Sequence, residues 1–158
     1  SNPCPCGYLG HEKKPCHCLP GTILKYRKRL SGPLLDRIDL HIDVPSVSEE
    51  KLTSNILSES SQKVRARVVK AREIQKKRFK GLKIFNNGEM SSAQIKKFCQ
   101  LSPEALNLLK QAIDKLSLSA RSYFKTIKIS QTIADLKGQK IIDVSYVAEA
   151  LQFRSYDE

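Results

Sequence analysis

Four of the chain's five cysteines crowd into residues 3–19, PCPCGYLGHEKKPCHCL, spaced as C-x-C, nine intervening residues, then C-x-C: Cys4, Cys6, Cys16 and Cys18. Thiolates offered in pairs by a short loop in a reducing compartment suit a tetrahedral structural zinc ion, Zn2+. A segment with so little apolar material needs such a clip to hold a shape. His11 or His17 can replace one thiolate, two disulfides serve if the protein is exported, and free thiols are the remaining alternative. A second chemical element is Arg37, within RLSGPLLDRIDLHIDVP at 29–45. A guanidinium held at the rim of a packed element suits a phosphate on a neighbouring subunit, because it is permanently charged and binds phosphate bidentately. Taken locally, an Asp36/Arg37 surface pair accounts for the same residues and is the simpler reading. A third element is the run from Lys63 to Lys80, with nine Lys/Arg against a single acid, Glu73. Such a run is either a solvated helix face or a nucleic-acid contact carried by residues such as Lys70, Lys76 and Lys77. Cys99 stands alone and reads as a small buried apolar residue.

The elements that must position these groups follow from length, charge and periodicity. At 158 residues the chain supports one modest core, and 28 Lys+Arg against 16 Asp+Glu gives +12, which favours a polyanionic partner without choosing between nucleic acid and nucleotide. No apolar run approaches the roughly 18 residues of a membrane span, and no basic region followed by an apolar stretch opens the chain, so no membrane partner and a cytoplasmic location are expected. The abrupt start at Ser1-Asn2-Pro3 reads as a piece of a longer protein.

PGTILKYRKRL, 20–30, predicts a short helix with a basic exposed face, leading to one helical turn in which Leu34, Leu35 and Ile38 turn inward. Ile38, Leu40, Ile42 and Val44 then alternate with polar residues at the period of a half-buried strand. The polar, Ser-rich stretch 46–60 reads as a linker, with a helical turn around Glu49 to Leu52. A long helix follows from Ser60 or Ser61 to about Phe79, with Val64, Val68 and Ala71 on one stripe. Asn86-Asn87-Gly88 marks a turn, and Ser91 or Ser92 opens a helix to about Cys99. Ser102-Pro103-Glu104 starts another, with Ala105, Leu109, Ala112, Ile113 and Leu116 inward. The next runs from about Ala120 to Leu136, with Phe124, Ile127 and Ala134 on its stripe, and stops at Lys137-Gly138. Ile141-Ile142 is briefly extended, and a last helix turns Val144, Val147, Ala148 and Leu151 inward. The expected fold is mainly α.

Four segments, NPCPCG, RLSGPLLDRIDLHIDVP, SARSYFKTIKISQTIADL and DVSYVAEALQF, together resemble the C-terminal portion of the bacterial Mg-chelatase-like AAA+ ATPases, in the group that includes competence proteins. The resemblance covers nearly the whole chain. It implies the end of an AAA+ core over 1–45, the linker over 46–60 and a helical-bundle lid over 61–158, in a ring-forming, hexameric ATPase. It also implies site residues: Asn2 as sensor 1, Arg37 as the arginine finger given in trans, and Arg121 as sensor 2 toward the nucleotide phosphate. A cation in the first turn of a helix opposes the helix dipole, so an anionic ligand at Arg121 would explain its presence. Members of the family usually carry an Arg where this chain has Gln131, so a second lid cation is absent and the role the resemblance would give it does not carry over. No G-x-x-x-x-G-K-[ST] phosphate loop and no Walker B segment lie within these residues. ATP and Mg2+ are accordingly cofactors expected of the full-length protein, and the chain alone should neither bind ATP well nor hydrolyse it. The expected activity is that of a DNA motor resembling a branch-migration helicase in recombination and natural transformation. Two alternatives remain: a magnesium chelatase ATPase subunit, which the resemblance implies would lack the four-cysteine insertion, and a non-catalytic, zinc-clipped nucleic-acid-binding module.

Overall fold

Serines set the helix starts. In the computed structural model, which describes residues 2–11, 13–29, 31–44, 47 and 58–154, four helices open on a serine whose hydroxyl accepts the amide of the third helical residue. These are Ser60 from Lys63, Ser91 from Gln94, Ser102 from Ala105 and Ser119 from Ser122. Each bond satisfies one of the amides that a helix leaves without an internal partner. Ser91 and Gln94 complete a reciprocal capping box.

The chain divides into two units, residues 1–38 with 43–55, and residues 39–42 with 56–158. Among its described residues the first holds the cysteine loop and two helices, α1 (Pro20–Arg27) and α2 (Gly32–Leu35). Neither buries a side chain: Leu34 and Ile38 are exposed and Leu35 is half-buried, so the inward turn expected of these three does not occur among the described residues. The strand expected over 38–44 is also replaced by irregular backbone without a ladder, with a bend at Asp39. A strand needs a neighbour for its amides and carbonyls. Here the His41 amide donates to the Phe153 carbonyl at 2.7 Å, and Ile38, Leu40, Ile42 and Val44 all remain exposed. The helical turn expected around Glu49 to Leu52 lies outside the described residues.

The second unit is a helical bundle with a minimal sheet. Its helices are α3 (Ser61–Arg78), α4 (Ser92–Phe98), α5 (Pro103–Lys115), α6 (Ala120–Leu136) and α7 (Val144–Gln152), with a 3-10 turn at Asn87–Glu89. Strands β1 (Gln100–Leu101) and β2 (Ile141–Ile142) pair in parallel, Gln100 opposite Ile141 and Leu101 opposite Ile142. The core gathers Phe79, Ile95, Leu109, Ile127, Ile142 and Val147 with their neighbours, and α6 runs through its middle with eight buried residues. That makes α6 the element on which the others are laid.

On α3 and α5 the inward faces follow the expected stripes over a shorter span, and on α7 the face is turned. On α3, Val64 and Val68 are exposed, and burial begins only at Ala71 and continues through Gln75 and Phe79. On α5, Ile113 faces out while Ala105, Leu109 and Ala112 are buried. On α7, Val147, Ala150 and Leu151 are buried, whereas Ala148 and Val144 are exposed. A one-residue step turns a helix by 100 degrees, and alanine carries too little area to fix the choice from sequence. Gly138 stops α6 at φ +70°, with the Gln139 amide donating to the Ala134 carbonyl at 2.9 Å. No helix among the described residues is long and apolar enough to cross a membrane.

Candidate functional site

The cysteine loop is built from two tight turns. The Gly7 amide donates to the Cys4 carbonyl at 3.0 Å and the His11 amide to the Tyr8 carbonyl at 3.1 Å. Gly7 sits at φ +80°, a conformation L side chains rarely adopt, so the residue that closes the first C-x-C has to be glycine. The turns bring the Sγ atoms of Cys4, Cys6, Cys16 and Cys18 within 4.8 Å of one another. Cys4 and Cys6 are 3.4 Å apart, and Cys16 lies 3.6 Å from each. Four sulfurs at a zinc–sulfur distance of about 2.3 Å stand roughly 3.8 Å apart at the corners of a tetrahedron, so the separations among Cys4, Cys6 and Cys16 lie near that spacing. All four cysteines are free thiols, and a disulfide would need about 2.05 Å between sulfurs. Neither histidine belongs to the cluster: His11 Nδ1 accepts the amides of Lys13 and Lys14 at 3.1 and 3.2 Å.

The electrostatics of the cluster favour a cation. Burial pushes the Cys4 thiol up, but hydrogen bonds from the Cys6 thiol, the Leu9 backbone, the Cys16 thiol and the Gly7 backbone outweigh it and bring Cys4 down to about 6. For Cys16 the Cys18 backbone lowers the thiol, yet burial together with the Cys6, Cys4 and Cys18 thiols pushes it up to about 12. One thiolate is thus stabilised by its neighbours at the cost of the next. A divalent ion removes the conflict by holding every sulfur as thiolate. Cys99, by contrast, is buried between α4 and β1, and burial raises its thiol to about 11, as suits an inert packing residue.

The phosphate-sensing candidates lie in both units. Asn2 is exposed beside the first turn, where a Cβ on Gly7 would come within 3.7 Å of its side chain. Arg37 is exposed immediately after α2, its amide donating to the Leu34 carbonyl at 3.0 Å. Arg121 is exposed on the first turn of α6, two residues past the Ser119 cap. Lys70, Lys76 and Lys77 are exposed along α3, and residues 58–70 bury nothing at all.

One basic residue of that helix turns the other way. Arg78 donates Nη1 and Nη2 to the two carboxylate oxygens of Asp135 at 2.8 and 2.5 Å, and Nη1 also to Asn87 Oδ1 at 2.8 Å. Asn87 Nδ2 in turn donates to Asp135 at 2.8 Å and to Thr132 Oγ1 at 3.0 Å, and Gln131 Nε2 donates to Asp135 at 3.2 Å. The Asp135 side chain is fully buried and that of Arg78 nearly so. This network joins α3, the Asn87 turn and α6, whereas charge patterning alone places Arg78 among the exposed basic residues. The available signal was an acid, Asp135, placed among the inward residues of the Phe124–Ile127–Ala134 helix, because a buried carboxylate requires a partner.

Residues 58–154 match the family described as magnesium chelatase, subunit ChlI C-terminal, and residues 1–52 match magnesium chelatase, subunit ChlI. Among curated proteins, the competence protein ComM of Haemophilus influenzae is 39% identical over 156 residues, covering 98% of this chain and 29% of that protein. YifB of Escherichia coli is 37% identical over 158 residues, covering 99% of the chain and 30% of YifB, and YifB of Salmonella typhimurium is 34% identical over 158 residues, covering 99% and 30%. The chain therefore spans under a third of the length of these relatives. With two family models tiling it in order and a helical bundle where the C-terminal model falls, the chain belongs to the magnesium chelatase ChlI family, in its C-terminal portion.

Proposed function

We propose that this chain is the C-terminal part of a ring-forming AAA+ ATPase that acts on DNA, with residues 1–45 ending the core, 46–60 linking, and 61–158 forming the lid. Similarity to the competence protein ComM along 98% of the chain carries the proposal. The net charge of +12 and the exposed basic length of α3 support a polyanionic partner. In this reading Arg37 is offered to the nucleotide of the neighbouring subunit, Asn2 orients the attacking water, and Arg121 contacts phosphate within its own subunit. Phosphoryl transfer leaves little covalent work to the protein, so such fixed donors are its main contribution. ATP and Mg2+ would be bound chiefly by parts of the full-length protein outside this chain.

Zinc on Cys4, Cys6, Cys16 and Cys18 has a structural role in this proposal. Metal analysis of the purified protein should find about one zinc per chain, absent from Cys4→Ser. A metal-free protein whose four thiols titrate at once would remove the assignment.

The DNA reading is tested by binding of the full-length protein to duplex and branched DNA across salt concentrations. Replacing Lys70, Lys76 and Lys77 with glutamine should lower the salt slope by about 0.9 for each phosphate that the helix no longer neutralises. An unchanged slope would return α3 to a solvated face. A protein that turns over ATP but binds no DNA of any form would favour the chelatase subunit instead.

A further inference from the structure

In the first unit, the cysteine loop and the α1 segment border an open cleft of about 360 Å³ lined by Pro5, Thr22, Lys25, Tyr26 and Arg29. We propose that this cleft receives one nucleotide of single-stranded DNA, its phosphate held by Lys25 and Arg29 and its base laid against Tyr26. The inference rests on the DNA reading above and places an interaction away from α3.

Three of the lining residues, Thr22, Lys25 and Tyr26, recur at i, i+3 and i+4 on one face of α1, and Arg29 follows two residues after the helix ends. That spacing ordinarily carries the apolar stripe of a packed helix. Here it carries a hydroxyl, an ammonium and a phenol, with the Arg29 guanidinium just past the helix end, and α1 buries no residue. Tyr26 is nonetheless half-buried, and it lines the same cleft as Lys25 and Arg29.

The remaining lining residue is Pro5, which in sequence lies between two members of the thiol cluster, Cys4 and Cys6. Its position is therefore fixed by the same interactions that gather the sulfurs. Arg27 does not add to the cleft; its Nε donates to the Pro3 carbonyl at 3.4 Å and ties α1 to the loop.

Charge narrows the ligand to an anion. Residues 1–30 contain six Lys/Arg and one acid, and the surplus stays positive after the net −2 of four thiolates around a divalent ion. Among the described residues no carboxylate lines the cleft to hold Mg2+ for a nucleoside triphosphate. Two cations, a hydroxyl and an aromatic face instead match one phosphate and one base, the repeating unit that single-strand sites bind by charge and stacking. A duplex keeps its bases stacked inside and cannot present one to a recessed ring.

The test uses the full-length protein with a fluorescent single-stranded oligonucleotide, the matching duplex, and ATP as separate probes. Lys25→Gln with Arg29→Gln should weaken single-strand binding at least tenfold near physiological salt and lower the salt slope by about 1.4, at about 0.7 for each cation removed. Tyr26→Ala should cost about tenfold with the slope unchanged, and Tyr26→Phe should retain the affinity. ATP affinity should not move in any of these variants. If Tyr26→Ala loses its metal or its fold, the glutamine pair and Tyr26→Phe decide the matter.

Wild-type binding that persists with full affinity and slope in the glutamine pair would overturn the cleft and leave the DNA reading standing. Absence of DNA binding by the wild type would overturn both. A loss of ATP affinity in the glutamine pair would assign the cleft to the mononucleotide and overturn the single-strand site.

Discussion

Arg37→Ala in the full-length protein is expected to lower ATP turnover by about a thousandfold or more while nucleotide affinity stays within a few-fold. The magnitude follows from what a finger does: its charge meets the charge that develops on the transferring phosphoryl group, which is worth roughly 10³ to 10⁵ in rate. Ground-state binding depends on other groups, so affinity should be spared. Arg37→Lys should recover little, because an ammonium lacks the planar fork that engages two oxygens. Because the proposed finger acts on the neighbour, mixing Arg37→Ala subunits with subunits that keep the finger but cannot bind nucleotide should restore part of the turnover. Failure of that mixture, or a loss of nucleotide affinity as large as the loss of rate, would place Arg37 within its own subunit's site or return it to a surface pair with Asp36. Its exposure at the end of α2 leaves the guanidinium reachable from outside the unit.

How much of this was legible beforehand depends on the range of the interactions. Serine caps, the Pro103 start and the Gly138 stop are local chemistry, and each appears where the sequence places it. The cysteine cluster was legible for the same reason, since two C-x-C pairs on a short loop have few ways to avoid one another. Residues 38–44 misled because alternation specifies which face a strand would show and supplies no neighbour to pair with. The face of α7 slipped where alanine had to decide the phase, as at Ala148 against Ala150, whereas Val64 and Val68 share the face of Ala71 and Gln75 but lie in the stretch 58–70 that buries nothing. Position 100 could not be read as a strand at all, because its partner Ile141 lies about forty residues on and the ladder is two residues long.

The Arg78 to Asp135 pair spans 57 positions, which is why periodicity passed over it, and it carries the second large expectation. Arg78→Met should destabilise the second unit by about 3–5 kcal/mol, since it leaves a buried carboxylate without its cation. For a unit near a hundred residues, each kcal/mol moves the melting temperature by about 4–8 °C, so a fall of more than about ten degrees is expected. Asn87 and Gln131 would still donate to Asp135, but neither amide carries charge. Asp135→Leu combined with Arg78→Met should recover much of the loss, because a buried ion pair replaced by apolar groups of similar volume is often neutral or better. If Arg78→Met costs less than about 1 kcal/mol, or the double substitution is as damaging as the two single changes added together, the pair is not what locks α3 to α6. The same comparison bears on the DNA reading, because Arg78 has its charge committed inward. Arg78→Met should therefore weaken stability without changing the salt slope of DNA binding, whereas the Lys70, Lys76 and Lys77 substitutions should change the slope and leave the melting temperature nearly unmoved. That opposite response separates the residues that hold the helix from those that would use it.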